Sequence, residues 1–183
     1  DHRDLHSFPT RRSSDLFRIE NRESTVLVGV PLRVGCEGGE NLRAIPAFWS
    51  RLNADGTVER LESAMDAESK LGVMGVCAGD LDEETKTFTY LAAIERPSGE
   101  DARRRLPEGC VELTAPAGTW VIFSARGALP DAIQSVWQRI YAEWFPSSGY
   151  EHAPGPDLEV YSRGDMGAAD YYSEVWMPIR KVS

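Results

Sequence analysis

The octapeptide IPAFWSRL at residues 45–52 recurs in altered form as IQSVWQRI at residues 133–140. Both segments follow the pattern I-x-x-Φ-W-x-R-Φ, where Φ is an apolar residue, and both place apolar side chains at helical spacing. A pattern that occurs twice in one chain is a signal of internal duplication. The repeat therefore predicts two related halves, each built around one helix.

The sequences around the two predicted helices agree with a duplication. Strand-like apolar runs accompany them in the same order, at residues 26–30, 72–77 and 87–94 in the first half and at 119–123, 158–161 and 172–179 in the second. Each half is therefore predicted to be strand–helix–strand–strand. We place the halves at approximately 17–95 and 109–181. We expect an α+β fold in which they pair around a pseudo-two-fold axis, with an antiparallel sheet and a central ligand cleft.

Residues 1–16, with the sequence DHRDLHSFPTRRSSDL, are set apart from the rest of the chain. Every residue of this segment matches the translation of a common short-read sequencing adapter, and the segment has no apolar periodicity. We interpret it as non-native, expect it to be disordered and exclude it from the fold. A reading frame that begins inside an adapter leaves the native start open, so a domain upstream of Phe17 stays an alternative.

The composition excludes several classes of protein. The 183 residues carry 20 basic and 29 acidic side chains, a net charge of −9, which argues against direct nucleic-acid binding by this part of the chain. The apolar runs are too short to span a bilayer and no signal peptide is visible, so we expect a cytoplasmic protein without a membrane partner. Three scattered cysteines indicate reduced thiols, not a disulfide framework.

His152 is the only histidine outside the adapter-like segment, and it lies in a Gly/Pro-rich stretch at residues 150–156. A single histidine without a Cys-x-x-Cys pair is a poor basis for a zinc site, so we expect neither a metal nor a cofactor. A Ser–His–Asp triad would have to use His152, but no G-x-S-x-G elbow accompanies it. We interpret His152 as a solvated loop residue.

The last predicted strand carries a candidate ligand-binding carboxylate. In YYSEVWMPI, residues 171–179, a period of two places Tyr172, Glu174 and Trp176 on one face, opposite the main run of aliphatic residues. An acid between two aromatic rings suits a flat lipophilic cation, because the rings stack on it and the carboxylate supplies the counter-charge. The alternative is a glutamate that points to water.

Correspondence between the halves adds further candidates. The final strand of the first half is expected to place Phe88 and Tyr90 opposite Glu174 across the cleft, whereas Trp49 and Trp137 are expected to pack on the sheet as core residues. The predicted ligand-binding set comprises Glu174, Tyr172, Trp176, Tyr90, Phe88, Trp120, Glu159 and Tyr161.

Four segments resemble the gyrase-inhibitor-like (GyrI-like) small-molecule-binding domain, also called the AraC-type effector-binding domain. They are PAGTWVIF at 116–123, WFPSSGYE at 144–151, PDLEVY at 156–161 and EVWMPI at 174–179. The resemblance covers essentially all of residues 17–181. It implies a duplicated fold with an aromatic cleft that senses small molecules, often lipophilic cations. The central acid of the family maps best onto Glu174.

The resemblance leaves three functions open. The first, which we favour, is the effector-binding part of an AraC-type transcription regulator with multidrug binding. Such a protein would contact DNA only through a helix-turn-helix module upstream of Phe17. The second is a stand-alone hydrolase of strained electrophilic genotoxins, with Glu174 as general base and Tyr172 polarising the substrate. The third is a stand-alone protein that modulates gyrase or gives protection from toxins. An enzyme is the less favoured expectation.

Overall fold

Strands from both halves join one antiparallel sheet in the computed structural model, which describes residues 17–69 and 71–182. The strands are β1 (Phe17–Arg22), β2 (Thr25–Gly35), β3 (Met74–Cys77), β4 (Thr87–Glu95), β5 (Val111–Ala115), β6 (Gly118–Arg126), β7 (Tyr150–His152), β8 (Asp157–Tyr161) and β9 (Tyr172–Lys181). The helices are α1 (Glu40–Ala54), α2 (Thr57–Ala64), α3 (Glu100–Arg104), α4 (Asp131–Arg139) and α5 (Phe145–Ser148). The adapter-like segment, with its predicted disorder, lies outside the described residues.

The strand order confirms the duplicated α+β fold. The sheet runs β1-β6-β9-β8-β3-β4-β2-β5, and β7 pairs with the end of β9 beyond β8. The first half contributes β2, α1, β3 and β4, and the second contributes β6, α4, β8 and β9 in the same order. The halves meet where β3 pairs with β8, and at this seam Gly75 lies opposite Glu159.

The two edge strands are exchanged between the halves. β1, the first strand of the first half, pairs with β6 of the second half, and Phe17 lies opposite Phe123. β5, the first strand of the second half, pairs with β2 of the first half. The pattern of strand–helix–strand–strand did not predict this exchange. Its consequence is that side chains of β1 reach the last strand of the chain across only one intervening strand.

Helices α1 and α4 lie on the same face of the sheet, each over its own half. Phe48 and Leu52 of α1 are four residues apart and are buried against β2 and β4. Ile133 of α4 and Ile140, in the π-helical turn at Ile140–Trp144 that follows it, are buried against β6 and β9. Full burial of each such side chain stabilises the fold by roughly 1.5–3 kcal/mol. No helix among the described residues is both long and apolar enough to cross a membrane.

The opposite face of the sheet is also covered, by its own apolar side chains. Trp120, Ile122 and Trp176 pack there against Met74 and Leu158 of the central strands, and each is at most 4% exposed. Strand β9 is therefore buried on both faces, under α4 on one side and within this second core on the other. A central strand of this kind has no solvent face, which is why its alternation did not show which face carries the ligand.

Candidate functional site

The two predicted acids, Glu159 and Glu174, lie on opposite faces of the sheet. Glu159 of β8 is paired with Val175 of β9, so Glu174 points the other way, together with Val160. Tyr90 belongs to the helix-side core, on the same face as Glu159. The prediction that Phe88 and Tyr90 face Glu174 across one cleft is therefore wrong. A change of one residue in strand register exchanges the two faces, and the correspondence between halves did not fix it.

Glu159 lies at the centre of a hydrogen-bonded aromatic cluster. The cluster lies between α1 and α4, and we call this part of the molecule the central cleft. Its Oε1 atom accepts from the indole Nε1 of Trp137 at 2.7 Å, and its Oε2 accepts from the Tyr161 hydroxyl at 2.6 Å. The Tyr90 hydroxyl lies 3.4 Å from the same Oε2 and accepts from the Trp49 indole at 2.9 Å. The site thus joins strand β8 to both helices.

The repeated octapeptides supply the two tryptophans of this cluster. Trp49 and Trp137 occupy equivalent positions in α1 and α4, and both are only partly buried. Trp49 also packs edge-on against Tyr161, with ring centroids 5.7 Å apart. Both rings pack against the helix-side core, as predicted, but each indole N–H donates into the polar cluster. The recurrence of tryptophan at one position in both repeats was the signal that sequence reasoning had available and assigned to packing alone.

A glycine makes room for this arrangement. A Cβ atom on Gly75 would overlap the Tyr90 hydroxyl oxygen and would lie 3.1 Å from Glu159 Oε2. The missing side chain lets the Tyr90 hydroxyl lie over the β3 backbone, within reach of both Glu159 and Trp49. Gly75 therefore determines the geometry of the cluster without contributing a functional group to it.

The tyrosines of the cleft remain protonated donors. Burial raises the pKa of Tyr90 and of Tyr161 well above the ordinary value, and the neighbouring Glu159 charge raises both further. A neutral phenol donates a hydrogen bond and adds no charge of its own. The Glu159 carboxylate is consequently held by neutral donors.

Glu174 lies in a different environment, where the cation is already part of the chain. Its carboxylate, in a residue only 8% exposed, accepts from Arg18 Nη1 at 2.7 Å, from the Tyr172 hydroxyl at 2.5 Å and from Trp176 Nε1 at 2.7 Å. The Arg22 guanidinium lies 4.2 Å from the centre of the Trp176 ring. An acid framed by aromatic residues is therefore present as predicted, but its cationic partner is Arg18 of β1, which was not predicted.

The pKa of Glu174 records this pairing. Burial acts to raise it, but hydrogen bonds from Arg18, Tyr172 and Trp176 together outweigh burial and hold it below the ordinary value. Strand β1 alternates Arg18, Glu20 and Arg22 on the face that meets Glu174. This alternation was visible in the sequence and was not used.

The predicted ligand-binding set thus divides between two faces. Four residues lie on the helix side: Glu159, Tyr161, Tyr90 and Phe88. Phe88 packs there at the edge of the core under α1. The other four lie on the Glu174 side, where Trp120 is 2% exposed and donates its indole N–H to the Pro116 carbonyl at 3.2 Å; they are Glu174, Tyr172, Trp176 and Trp120.

His152 differs from its prediction as a solvated loop residue. It belongs to β7 and is partly buried, because β7 pairs with β9 at Ile179. Its Nε2 atom lies 2.6 Å from Oδ1 of Asp157. Residues 153–156 of the Gly/Pro-rich stretch connect β7 to β8, and this turn brings His152 and Asp157 together.

The duplicated fold and its aromatic cleft define a small-molecule-binding domain. The chain belongs to the GyrI-like small molecule binding domain family, whose model matches residues 17–180. A curated relative, the transcriptional regulator BrlR of Pseudomonas aeruginosa, is 32% identical over 107 residues, which are 57% of this chain and 37% of that protein. The chain therefore spans little more than a third of the length of this relative.

Solved structures share the fold. SAV2435 bound to tetraphenylphosphonium superposes with a TM-score of 0.74 at 22% identity, covering 90% of this chain and 93% of the other. A Staphylococcus aureus MU50 protein proposed to act in transcription regulation gives the same score and identity, over 90% of this chain and 97% of the other. The C-terminal domain of EcmrR gives 0.54 at 14% identity over 91% and 98%. At these identities the likeness shows the fold alone.

Proposed function

We propose that this domain binds a lipophilic cation in the central cleft, with Glu159 as the counter-charge, and that it is the effector-binding part of a transcription regulator. One observation carries the proposal. Among the described residues, Glu159 accepts hydrogen bonds only from neutral donors, Trp137, Tyr161 and Tyr90, and no cationic side chain pairs with it. Glu174, in contrast, is paired with Arg18.

A partly buried carboxylate such as Glu159 is costly without a counter-charge. A charge withdrawn from water loses solvation, and neutral hydrogen bonds restore only part of it. A ligand cation placed against Glu159 supplies the missing counter-charge. A ligand cation can therefore gain a charge pair at Glu159. Glu174 offers no such gain, because Arg18 already pairs with it.

The rings around Glu159 favour a lipophilic cation over a small hydrated one. Trp49, Trp137 and Tyr161 present aromatic surface beside the acid, and cation–π attraction adds about 0.5–2 kcal/mol for each well-placed ring. Ammonium or phosphonium groups that carry aromatic substituents can use both the faces of these rings and the carboxylate. We assign Glu174 and its neighbours a structural role.

The comparisons support the choice of probe and of biological role. SAV2435, which shares this fold, was solved with tetraphenylphosphonium, a lipophilic cation. BrlR is a transcriptional regulator, and the chain matches a part of it. These properties belong to the relatives. They make tetraphenylphosphonium the first ligand to test and regulation of transcription the first role to test.

Titration with tetraphenylphosphonium, followed by calorimetry and tryptophan fluorescence, tests the binding proposal. A unit charge pair about 4 Å apart near a protein surface interacts by roughly 4 kcal/mol, and desolvation offsets part of this. Glu159→Gln is therefore expected to weaken binding by about 10–100-fold. Glu174→Gln is the matched control, and its affinity should stay within about twofold of wild type. Equal binding by the Glu159→Gln variant, or equal losses in both variants, would refute the assignment.

The regulator role is tested on the gene. Amplification and sequencing of the source DNA upstream of the Phe17 codon should reveal a helix-turn-helix reading frame continuous with this domain. A start codon immediately before Phe17 would instead make the domain a stand-alone binder and would contradict the regulator role, without affecting the binding proposal.

A further inference from the structure

A second carboxylate lies beside Glu159 on the floor of the central cleft. Asp157 and Glu159 alternate along β8, so their side chains leave the same face, with backbone positions about 6–7 Å apart. Across the seam of the two halves, Gly75 lies opposite Glu159 and Cys77 lies opposite Asp157. The Asp157 side chain is 16% exposed. Two acids therefore line one row of the cleft floor.

An aromatic wall runs along this row. The Trp137 and Tyr141 rings, one helical turn apart, are stacked with centroids 6.2 Å apart and planes 13° apart. Trp137 donates to Glu159, and Tyr141 is 57% exposed. Burial and then the Asp157 charge raise the pKa of Tyr141 to about 12, as expected for a phenol near that carboxylate. A ligand beside these two rings would meet Glu159 at the Trp137 end of the row and Asp157 at the other end.

His152 is the hydrogen-bonding partner of Asp157. Its Nε2 atom lies 2.6 Å from Asp157 Oδ1, and its side chain is 34% exposed. A protonated imidazole neutralises Asp157, whereas a neutral imidazole leaves the carboxylate negative. The hydrogen bond that His152 donates to the Asp157 carboxylate, opposed by burial, raises the pKa of His152 above its ordinary value. Burial raises the pKa of Asp157 above its ordinary value, and the hydrogen bond with His152 opposes this.

The other titratable groups around the pair leave His152 as the switching group near neutral pH. Burial raises the pKa of Cys77, and the acids Glu159 and Asp157 raise it further, so the thiol stays neutral. The same holds for the phenols of the cleft, which stay protonated: Tyr141, Tyr90 and Tyr161.

On the neighbouring strands, one further acid is already paired with a cation. Glu151 of β7 forms an exposed ion pair with Arg180 of β9 at 2.6 Å.

We propose that Asp157 is a specificity-determining residue that makes the central cleft prefer aromatic ligands with two positive charges about 6–7 Å apart, and that protonation of His152 closes this second subsite. The inference rests on the proposed function, because the first charge of such a ligand pairs with Glu159. As the pH rises through the pKa of His152, the imidazole loses its proton and Asp157 becomes available. Affinity for a dication should therefore increase with pH.

A matched pair of ligands tests the inference. The dication is 1,4-bis(trimethylammoniomethyl)benzene, whose flat ring separates two quaternary nitrogens, and the monocation is benzyltrimethylammonium. Neither ligand titrates, so any pH dependence belongs to the protein. With the wild-type chain, the dication should bind at least about threefold more tightly at about pH 8 than at about pH 6, while the monocation changes by less than about twofold.

Two variants make the test specific. His152→Gln keeps a neutral hydrogen-bonding partner for Asp157, so its dication affinity at about pH 6 should equal that of wild type at about pH 8. Asp157→Asn should remove the preference for the dication at both pH values and should leave monocation binding intact. Circular dichroism melts at both pH values establish that each variant is folded.

The outcomes separate this inference from the proposed function. Monocation binding that depends on Glu159, together with a dication affinity insensitive to pH and to Asp157→Asn, overturns the second subsite and leaves the proposed function standing. Failure of tetraphenylphosphonium and both ammonium ligands to bind the wild-type chain overturns both. A dication preference that survives Asp157→Asn also overturns the role of Asp157.

Discussion

Removal of the Arg18 guanidinium should destabilise the fold by leaving Glu174 as a buried charge without a counter-ion. Glu174 is 8% exposed and keeps two neutral donors, Tyr172 and Trp176, when Arg18 is replaced by methionine. Breaking a buried pair costs about 3–5 kcal/mol, and an exposed pair contributes about 1 kcal/mol or less. Because the Arg18 side chain is 44% exposed, we expect about 2 kcal/mol at pH 7. For a chain of this length that corresponds to a melting temperature lower by about 4–8 °C.

The pH dependence distinguishes an ion pair from lost packing. The pKa of Glu174 is held below its ordinary value in the folded protein, so its contribution to stability is present above the unfolded pKa. That contribution is lost as the pH falls through the folded pKa. The difference between wild type and Arg18→Met, measured by urea unfolding at about pH 7 and again at about pH 4 and 3, should therefore shrink with acid. The double variant Arg18→Met/Glu174→Gln should be more stable at pH 7 than Arg18→Met alone. A loss below about 0.5 kcal/mol at pH 7, or a loss unchanged in acid, would refute the reasoning.

Two further predictions concern the central cleft. Gly75→Ala should weaken tetraphenylphosphonium binding and lower stability by about 1–3 kcal/mol, because its Cβ displaces the Tyr90 hydroxyl. The double variant Gly75→Ala/Tyr90→Phe should regain most of that stability, because the displaced hydroxyl is gone. Gly29→Ala is the control: its Cβ meets backbone atoms of β4, so Tyr90→Phe should not rescue it. Tyr161→Phe removes the hydroxyl that donates to Glu159 Oε2 at 2.6 Å. The free energy of unfolding, measured in urea at pH 7, should fall by about 1.5–3 kcal/mol. An unchanged unfolding midpoint in that variant would show that water replaces the hydroxyl.

The helices were predictable because their signal is local. The segments at residues 45–52 and 133–140 carry apolar residues at helical spacing. The structure places the first in α1 and the second in α4, with Ile140 beginning the π-helical turn that follows. The same repeat predicted the duplication and, with the strand-like segments around it, the α+β fold. Helical periodicity requires no knowledge of any partner strand, so it survives the step from sequence to structure.

The site was predicted only in part because strand faces are set by non-local register. Tyr90, Glu159 and Tyr161 were all proposed as ligand contacts, and the structure brings them together. Glu174 was assigned to the same cleft because its strand shows the clearest alternation. Only the pairing of β8 with β9, in which Val160 lies opposite Glu174, shows that the two acids point apart. The pairing of β1 with β6, which brings Arg18 to Glu174, is equally non-local.

The contrast between the two acids leads to a reciprocal pair of expectations. An acid among aromatic rings is one local chemistry, but its role depends on whether the chain supplies the cation. Where β1 supplies Arg18, removal of that cation should lower stability and leave ligand affinity within about twofold. Where the cation must come from outside, Glu159→Gln should lower affinity and leave stability unchanged or raised, because a partly buried charge is removed. Measurement of stability and affinity in both variants tests this division, and equal effects of both variants on both quantities would contradict it.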